Sequence, residues 1–233
     1  MAIFDYKDLP KYKELISKQP YIHDSDFNPI ILDNVLDQKD IDHILNQVDN
    51  YPLEEVKVQT WGGQGVYDKV IPEPHIKEKL TKLISEALGE PMILEQTSVA
   101  KYSTKFNFLV KLFAHYDTKP IDMFIVDLQL KSNQDWGIVV EGKQFNLKDN
   151  QALIFSGTNQ IHWRERKNLP ANTDITMLFC WFSHTPPKLK KKKHDKIMRA
   201  RSSMIMNETN ILGNIVETQI LNDQIIIKPK TNE

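Results

Sequence analysis

His115-Tyr116-Asp117 and, further along, Gln151-Ala-Leu-Ile-Phe-Ser-Gly-Thr-Asn-Gln-Ile-His162 are the stretches whose reading decides the fold. In a β-strand, side chains two apart point to the same face, so His115 and Asp117 reach one ion together from a single strand end. The second stretch reads as an apolar strand, a short turn and a histidine at the exit, which brings His162 in from a neighbouring strand. Two neutral imidazoles and one carboxylate on one face leave three positions of an octahedron open, the arrangement that suits non-haem Fe(II) and oxygen chemistry. A closed zinc site would more often include cysteine. A His-x-Asp pair alone reads more readily as a solvated loop pair, so the weight falls on what surrounds it.

Working outward, Met123–Leu130, Trp136–Leu147 and Ala152–Phe155 are β-type runs separated by polar turns, with Glu141-Gly142 as a tight hairpin connection. Upstream, Pro29–Leu36 reads as a strand. Asp37 then caps a helix carrying Ile41, Ile44, Leu45 and Val48 on one side. A second helix runs from about His75 to Leu88, introduced by Pro72-Glu-Pro74 and stopped by Gly89. Helices that back one sheet are the simplest use for both. Residues 5–19, with Leu9, Tyr12, Leu15 and Ile16 on one side, predict a short N-terminal helix, and Glu217–Lys228 predicts a hairpin turning at Asn222-Asp223.

Trp61-Gly-Gly-Gln-Gly65 holds three of the 8 glycines. The stretch reads either as a mobile lid with an aromatic at its edge or as an ordinary hairpin loop. At 233 residues the chain fits one domain (1–233), with 40% hydrophobic residues to build its core. Thirty Lys and Arg against 31 Asp and Glu leave a net charge of -1, so no global field draws the protein to nucleic acid or an anionic membrane. The basic run from Lys188 to Arg201 reads as a solvated helix face, with nucleic-acid binding a minority reading because interleaved aromatics are lacking. The single cysteine, Cys180, lies in an apolar strand and fits a reducing compartment. No signal peptide or membrane-length apolar run is evident, so the default expectation is a cytoplasmic protein. Oligomeric state is not legible.

These residues resemble the Fe(II)- and 2-oxoglutarate-dependent dioxygenases, most closely the prolyl 4-hydroxylase-like branch. The matching positions are Val99-Ala-Lys-Tyr102, His115-Tyr-Asp117, Lys148–Phe155, Ile161-His162 and Met177-Leu-Phe-Cys-Trp-Phe182. The resemblance implies a mainly β fold with flanking helices (α+β). Its core, 28–183, would be a double-stranded β-helix, a jelly-roll or cupin-like barrel, backed by helices and followed by a basic segment and hairpin extension over 184–233. It also implies Fe(II) held by His115, Asp117 and His162, with 2-oxoglutarate and O2 as co-substrates, and hydroxylation of an unactivated C–H bond in a small-molecule or peptidyl substrate.

One departure bears on the co-substrate. The family normally has an arginine some ten residues after the second histidine and a Ser or Thr two further on, to hold the distal carboxylate. Counted back from Trp181-Phe182, this chain offers Asp174-Ile-Thr176. An aspartate cannot clamp a carboxylate, so another cation is required or the co-substrate differs. Lys131 and Lys111 are the candidates expected to project inward from strands, with Thr176 and Tyr102 adding hydrogen bonds. Arg164, Arg166 and Trp61 are expected to meet the substrate instead, the two arginines because they fall where the chain leaves the barrel. The competing reading, from a different class, is a β-helix binding or structural module that keeps a relic metal site.

Overall fold

The computed structural model describes residues 27–59, 64–103, 112–117, 119, 121–164, 170, 172–188, 216–221 and 224–229. The expected N-terminal helix, Trp61, Lys111, Arg166 and most of the basic run lie outside the described residues.

The chain forms β1 (Ile30–Leu32), α1 (Gln38–Asp49), β2 (Lys57–Gln59), β3 (Gln64–Tyr67), α2 (Pro74–Leu88), β4 (Met92–Ser103), β5 (Leu112–His115) and β6 (Met123–Ser132). After these come β7 (Ile138–Val140), β8 (Lys143–Phe145), β9 (Ala152–Phe155), β10 (His162–Arg164), β11 (Asp174–His184), β12 (Val216–Leu221) and β13 (Gln224–Pro229). A seven-stranded sheet runs in the order β1-β9-β6-β11-β4-β3-β2, and a four-stranded sheet in the order β5-β10-β7-β8. Among the described residues every strand pairing is antiparallel. This is the double-stranded β-helix that the resemblance implies, with a major and a minor sheet rather than a closed barrel.

The alternation of side chains along the strands decides which face meets which layer. On the outer face of the major sheet, Val99, Val126, Leu128, Leu178, Cys180 and Phe182 pack with Ile41, Ile44 and Val48 of α1 and Ile76, Leu80 and Ile84 of α2. The helical residues recur at spacings of three and four, so each helix turns one apolar stripe onto the sheet. α2 starts with Pro74 at its first turn, where the missing N–H has no partner to lose, and ends at Gly89, whose φ of 70° terminates the helix in the left-handed region. α1 begins after Asp37, but the Asp37 side chain makes no cap hydrogen bond and pairs with Lys79 of α2 instead.

The inner face carries the opposite parity. Ile125, Leu153 and Phe155 of the major sheet meet Ile138, Val140 and Phe145 of the minor sheet, and Tyr102, Ile175 and Met177 meet Trp136. The β7–β8 hairpin turns on Glu141 and Gly142, both at positive φ (49° and 83°), the geometry of a type I′ two-residue loop. β12 and β13 pair through Leu221 and Gln224, so the expected C-terminal hairpin forms around positions 222–223. Among the described residues, no helix is long and apolar enough to cross a membrane.

Candidate metal centre and co-substrate pocket

His115 ends β5 and His162 begins β10, and the two are direct partners in the antiparallel ladder. Their rings lie with centroids 4.1 Å apart. Asp117, two residues beyond His115, completes a cluster in which one ligand atom from each side chain lies within 4.8 Å of the others. The spacing argument from the sequence therefore holds in three dimensions: one pair from one strand end, one histidine from the neighbour.

Asp117 and His162 are held from behind. The Asp117 backbone N–H donates to Gly157 O at 2.8 Å, and Trp181 Nε1–H donates to Asp117 Oδ2 at 3.0 Å. This leaves Oδ1, 3.8 Å from His115 Nε2, directed at the cluster. Gly157 is there because a side chain does not fit, since a Cβ would stand 2.5 Å from Ile125 and 2.8 Å from Asp117 Oδ2. His162 Nδ1 lies 3.0 Å from Gln160 O, which suits the Nδ1–H tautomer and frees Nε2 to ligate. Gln160 is itself tied down, accepting from Ser156 N–H and donating to Phe27 O. Burial, and then the neighbouring His115, hold the His162 pKa well below the ordinary histidine value, so the ring stays neutral and able to bind a metal ion. Two imidazoles and one carboxylate on one face, oriented by hydrogen bonds, fit a divalent iron-type ion with open positions.

A cavity of about 280 Å³ opens beside the cluster, lined among others by His115, Asp117, His162, Tyr102, Asp127 and Trp181. Arg164, expected from the sequence to meet the substrate, lies against Tyr102 and Asp127, two residues that line this cavity. It is 2% exposed, with its guanidinium 5.5 Å from the Tyr102 ring and 5.1 Å from the Trp136 ring. Nη1 donates to Trp136 O. Among the described residues Nε and Nη2, which together form the side-on fork of a guanidinium, are buried with no hydrogen-bond partner, and the Tyr102 hydroxyl is buried beside the guanidinium. Burial pushes the Tyr102 pKa up to about 12, so the hydroxyl keeps its proton and can donate. Two guanidinium donors beside the Tyr102 hydroxyl, just behind the cavity wall, have the chemistry to receive a carboxylate.

Of the residues expected to do this work, Tyr102 lines the cavity and Lys111 is outside the described residues, while Lys131 and Thr176 lie elsewhere. Lys131 does not project inward: its side chain is 49% exposed and pairs with Asp174 at 3.3 Å. Asp174 also meets Lys101 at 3.0 Å, so the acidic residue at the counted arginine position is paired with two lysines outside the cavity. Thr176 is buried, yet it pairs with Lys101 in the ladder and shares the parity of Leu178 and Cys180, the helix-facing residues. The inward residues of β11 are Ile175, Met177, Phe179 and Trp181. Sequence reasoning missed Asp127 altogether. It is 3% exposed on β6, with Oδ2 3.7 Å from Arg164 Nη2.

No protein-family model matches the sequence, and no curated protein matches it. Solved structures do. The epimerase SnoN, in complex with Fe3+, α-ketoglutarate and nogalamycin RO, superposes with a TM-score of 0.55 at 9% identity, over 70% of this chain and 81% of that one. An oxidoreductase of the 2OG-Fe(II) oxygenase family from Burkholderia pseudomallei gives 0.52 at 15% identity, over 70% and 88%. The collagen prolyl hydroxylase of Paramecium Bursaria Chlorella virus-1, solved as a 2OG complex, gives 0.49 at 14% identity, over 66% and 94%. At these identities the likeness is one of fold, and the chain shares the fold of 2OG-Fe(II) oxygenase structures.

Proposed function

We propose that this protein is an Fe(II)- and 2-oxoglutarate-dependent oxygenase that hydroxylates an unactivated C–H bond of a small-molecule or peptidyl substrate. The observation that carries the reading is one cavity with a His-Asp-His cluster on its wall and, against its lining residues Tyr102 and Asp127, a buried arginine whose Nε and Nη2 make no hydrogen bond among the described residues. A 2-oxo dicarboxylate has two handles, one keto-acid head that chelates a metal and one distal carboxylate, and the site offers one receptor for each.

His115, Asp117 and His162 would hold the iron. Bound there, Fe(II) supplies oxygen activation coupled to oxidative decarboxylation of the keto acid. The rest belongs to the chain. Trp181 and Gly157 fix the carboxylate orientation of Asp117. Ile125, Ile138 and Phe179 keep the cavity wall apolar, which strengthens each polar contact made inside it. Arg164 and Tyr102 set how deeply the co-substrate sits. Toward β3 and the start of β4 the lining turns polar, with Gln64, Asp68, Gln96 and Ser98, and Lys119 donates to Gln96 at 3.1 Å. That wall is where a substrate with hydrogen-bonding groups would dock. The alternative of a non-catalytic module drew its support from Asp174, which faces Lys101 and Lys131 outside the cavity.

The test is succinate formation from 2-oxoglutarate under air with Fe(II). The wild-type chain should produce it, and His115→Ala, Asp117→Ala and His162→Ala should not, with the far-ultraviolet circular dichroism retained. A wild-type chain that binds iron yet never yields succinate, with or without candidate substrates, would favour the binding module.

A further inference from the structure

A carboxylate of the chain's own, that of Asp127, already faces Arg164. Asp127 lines the same cavity as the metal cluster. Its Oδ2 stands 3.7 Å from Arg164 Nη2, too far for a hydrogen bond, so the two form an ion pair without closing the fork. The pair is electrically neutral as it stands. A carboxylate docking side-on across Nε and Nη2 would place its own oxygen against the same Nη2 that Asp127 faces. Two carboxylates would then share one guanidinium in a water-poor pocket, and like charges so close cannot both remain ionised at low cost.

We infer that Asp127 is a specificity-determining residue of this co-substrate slot: it competes with the distal carboxylate for Arg164, so a 2-oxo dicarboxylate enters together with one proton taken from solvent onto the Asp127 carboxylate. The inference rests on the 2-oxoglutarate reading above. Once protonated, Asp127 changes from competitor to hydrogen-bond donor. The surroundings favour that change. Burial pushes the Asp127 carboxyl up to about 7, with Arg164 opposing and Asp117 adding to the shift. The other groups that face or feel it are Tyr102 of β4 and Cys180 of β11, both pushed up by burial and therefore neutral. Its ladder partner on β9 is the apolar Leu153. No second cation is recorded around Asp127 among the described residues. The pocket thus sorts keto acids by the charge of the tail as well as its length.

The experiment is isothermal calorimetry on the full chain saturated with Mn(II), titrated with 2-oxoglutarate at about pH 6.5 and about pH 8.5, each in two buffers of different ionisation enthalpy. The companion ligand is 2-oxopentanoate, which keeps the keto-acid head and lacks the distal carboxylate, so it reports any pH effect at the metal. For 2-oxoglutarate the wild-type affinity should fall about tenfold or more between the two pH values, with proton uptake rising toward one per ligand at the higher pH. Affinity for 2-oxopentanoate should change little. In Asp127→Asn the pH dependence and the proton uptake should vanish, and at the higher pH 2-oxoglutarate should bind about tenfold tighter than to wild type. Wild-type binding without proton uptake overturns the proposal with no variant needed. So does an Asp127→Asn chain that binds 2-oxoglutarate more weakly at both pH values, which would make Asp127 a support for Arg164. If Mn(II) binds but 2-oxoglutarate binds at neither pH, the co-substrate reading itself fails and the proposal falls with it.

Discussion

Arg164→Met removes the guanidinium and keeps a stem of similar bulk between Tyr102 and Trp136. Its effect on binding and its effect on stability come from different bonds and can be separated. Nε and Nη2 are the unengaged donors, so on binding they alone exchange water or void for a carboxylate. A charge-assisted contact of this kind is worth roughly 1.5–3 kcal/mol, a loss of about tenfold to about 150-fold in 2-oxoglutarate affinity. Stability depends on Asp127. The carboxyl is pushed up to about 7 by burial, so below that pH it carries a proton and needs no counter-ion. The variant then loses only the packing of the arginine stem and the Nη1 bond to Trp136 O. Above it, wild type keeps Asp127 ionised beside Arg164, whereas the variant must keep it protonated against the solution, at about 1.4 kcal/mol per pH unit. Denaturant melts of the metal-free chain should therefore show a stability difference that is small near pH 6 and widens by roughly that slope above pH 7. Adding Asp127→Asn to Arg164→Met should flatten it. Calorimetry on the metal-loaded proteins gives the binding half, with Lys131→Met as the control expected to behave as wild type. Unchanged 2-oxoglutarate affinity in Arg164→Met, or a large loss in Lys131→Met, refutes the assignment of the slot.

Trp181→Phe keeps the ring and removes the Nε1–H bond to Asp117 Oδ2; metal affinity by competition with a coloured chelator should fall about 10–100-fold while the melting temperature hardly moves. Gly157→Ala forces a methyl to within 2.8 Å of Asp117 Oδ2 and 2.5 Å of Ile125; it should cost about 1–3 kcal/mol in a denaturant melt and weaken metal binding as well, and normal binding would show that the ligand loop yields freely. His162 has a folded pKa held below its ordinary value, so the unfolded chain binds more protons than the folded one below about pH 6.5. The metal-free protein should lose stability as pH falls through that point, and His162→Gln should lose less over the same range.

The His-Asp-His cluster was legible because residues two apart at a strand end can reach one side together, although Asp117 lies just beyond β5 and is placed by Gly157 O and Trp181, and an apolar strand running into Ile161-His162 leaves little choice of partner. The major sheet was legible in the apolar runs of β6 and β9. Arg164 was misplaced because the chain around it looks like an exit from the barrel, although the parity that joins His115 to Asp117 also joins His162 to Arg164 across Trp163. What the sequence does not carry is the ladder irregularity between His162 and Arg164 against β5. Thr176 failed by parity too. Counting back from Trp181, whose indole bonds the metal-site carboxylate, the inward positions are the odd ones, and Asp174 and Thr176 both face away. Lys131 sits at the end of β6, where a long stem reaches solvent and Asp174 more cheaply than it can bury an ammonium. Asp127 lay unnoticed in Met123-Phe-Ile-Val-Asp-Leu-Gln-Leu130, because an acid inside an apolar run is recognised as functional only when its buried partner is known.

The central claim is that one cavity takes metal and keto acid together, and anaerobic titration tests it most directly. Fe(II) followed by 2-oxoglutarate should give a visible charge-transfer absorption that saturates at one of each per chain. It should be absent in His162→Ala and require far more 2-oxoglutarate in Arg164→Met. An Fe(II)-loaded wild-type chain that stays colourless at saturating 2-oxoglutarate would contradict the account.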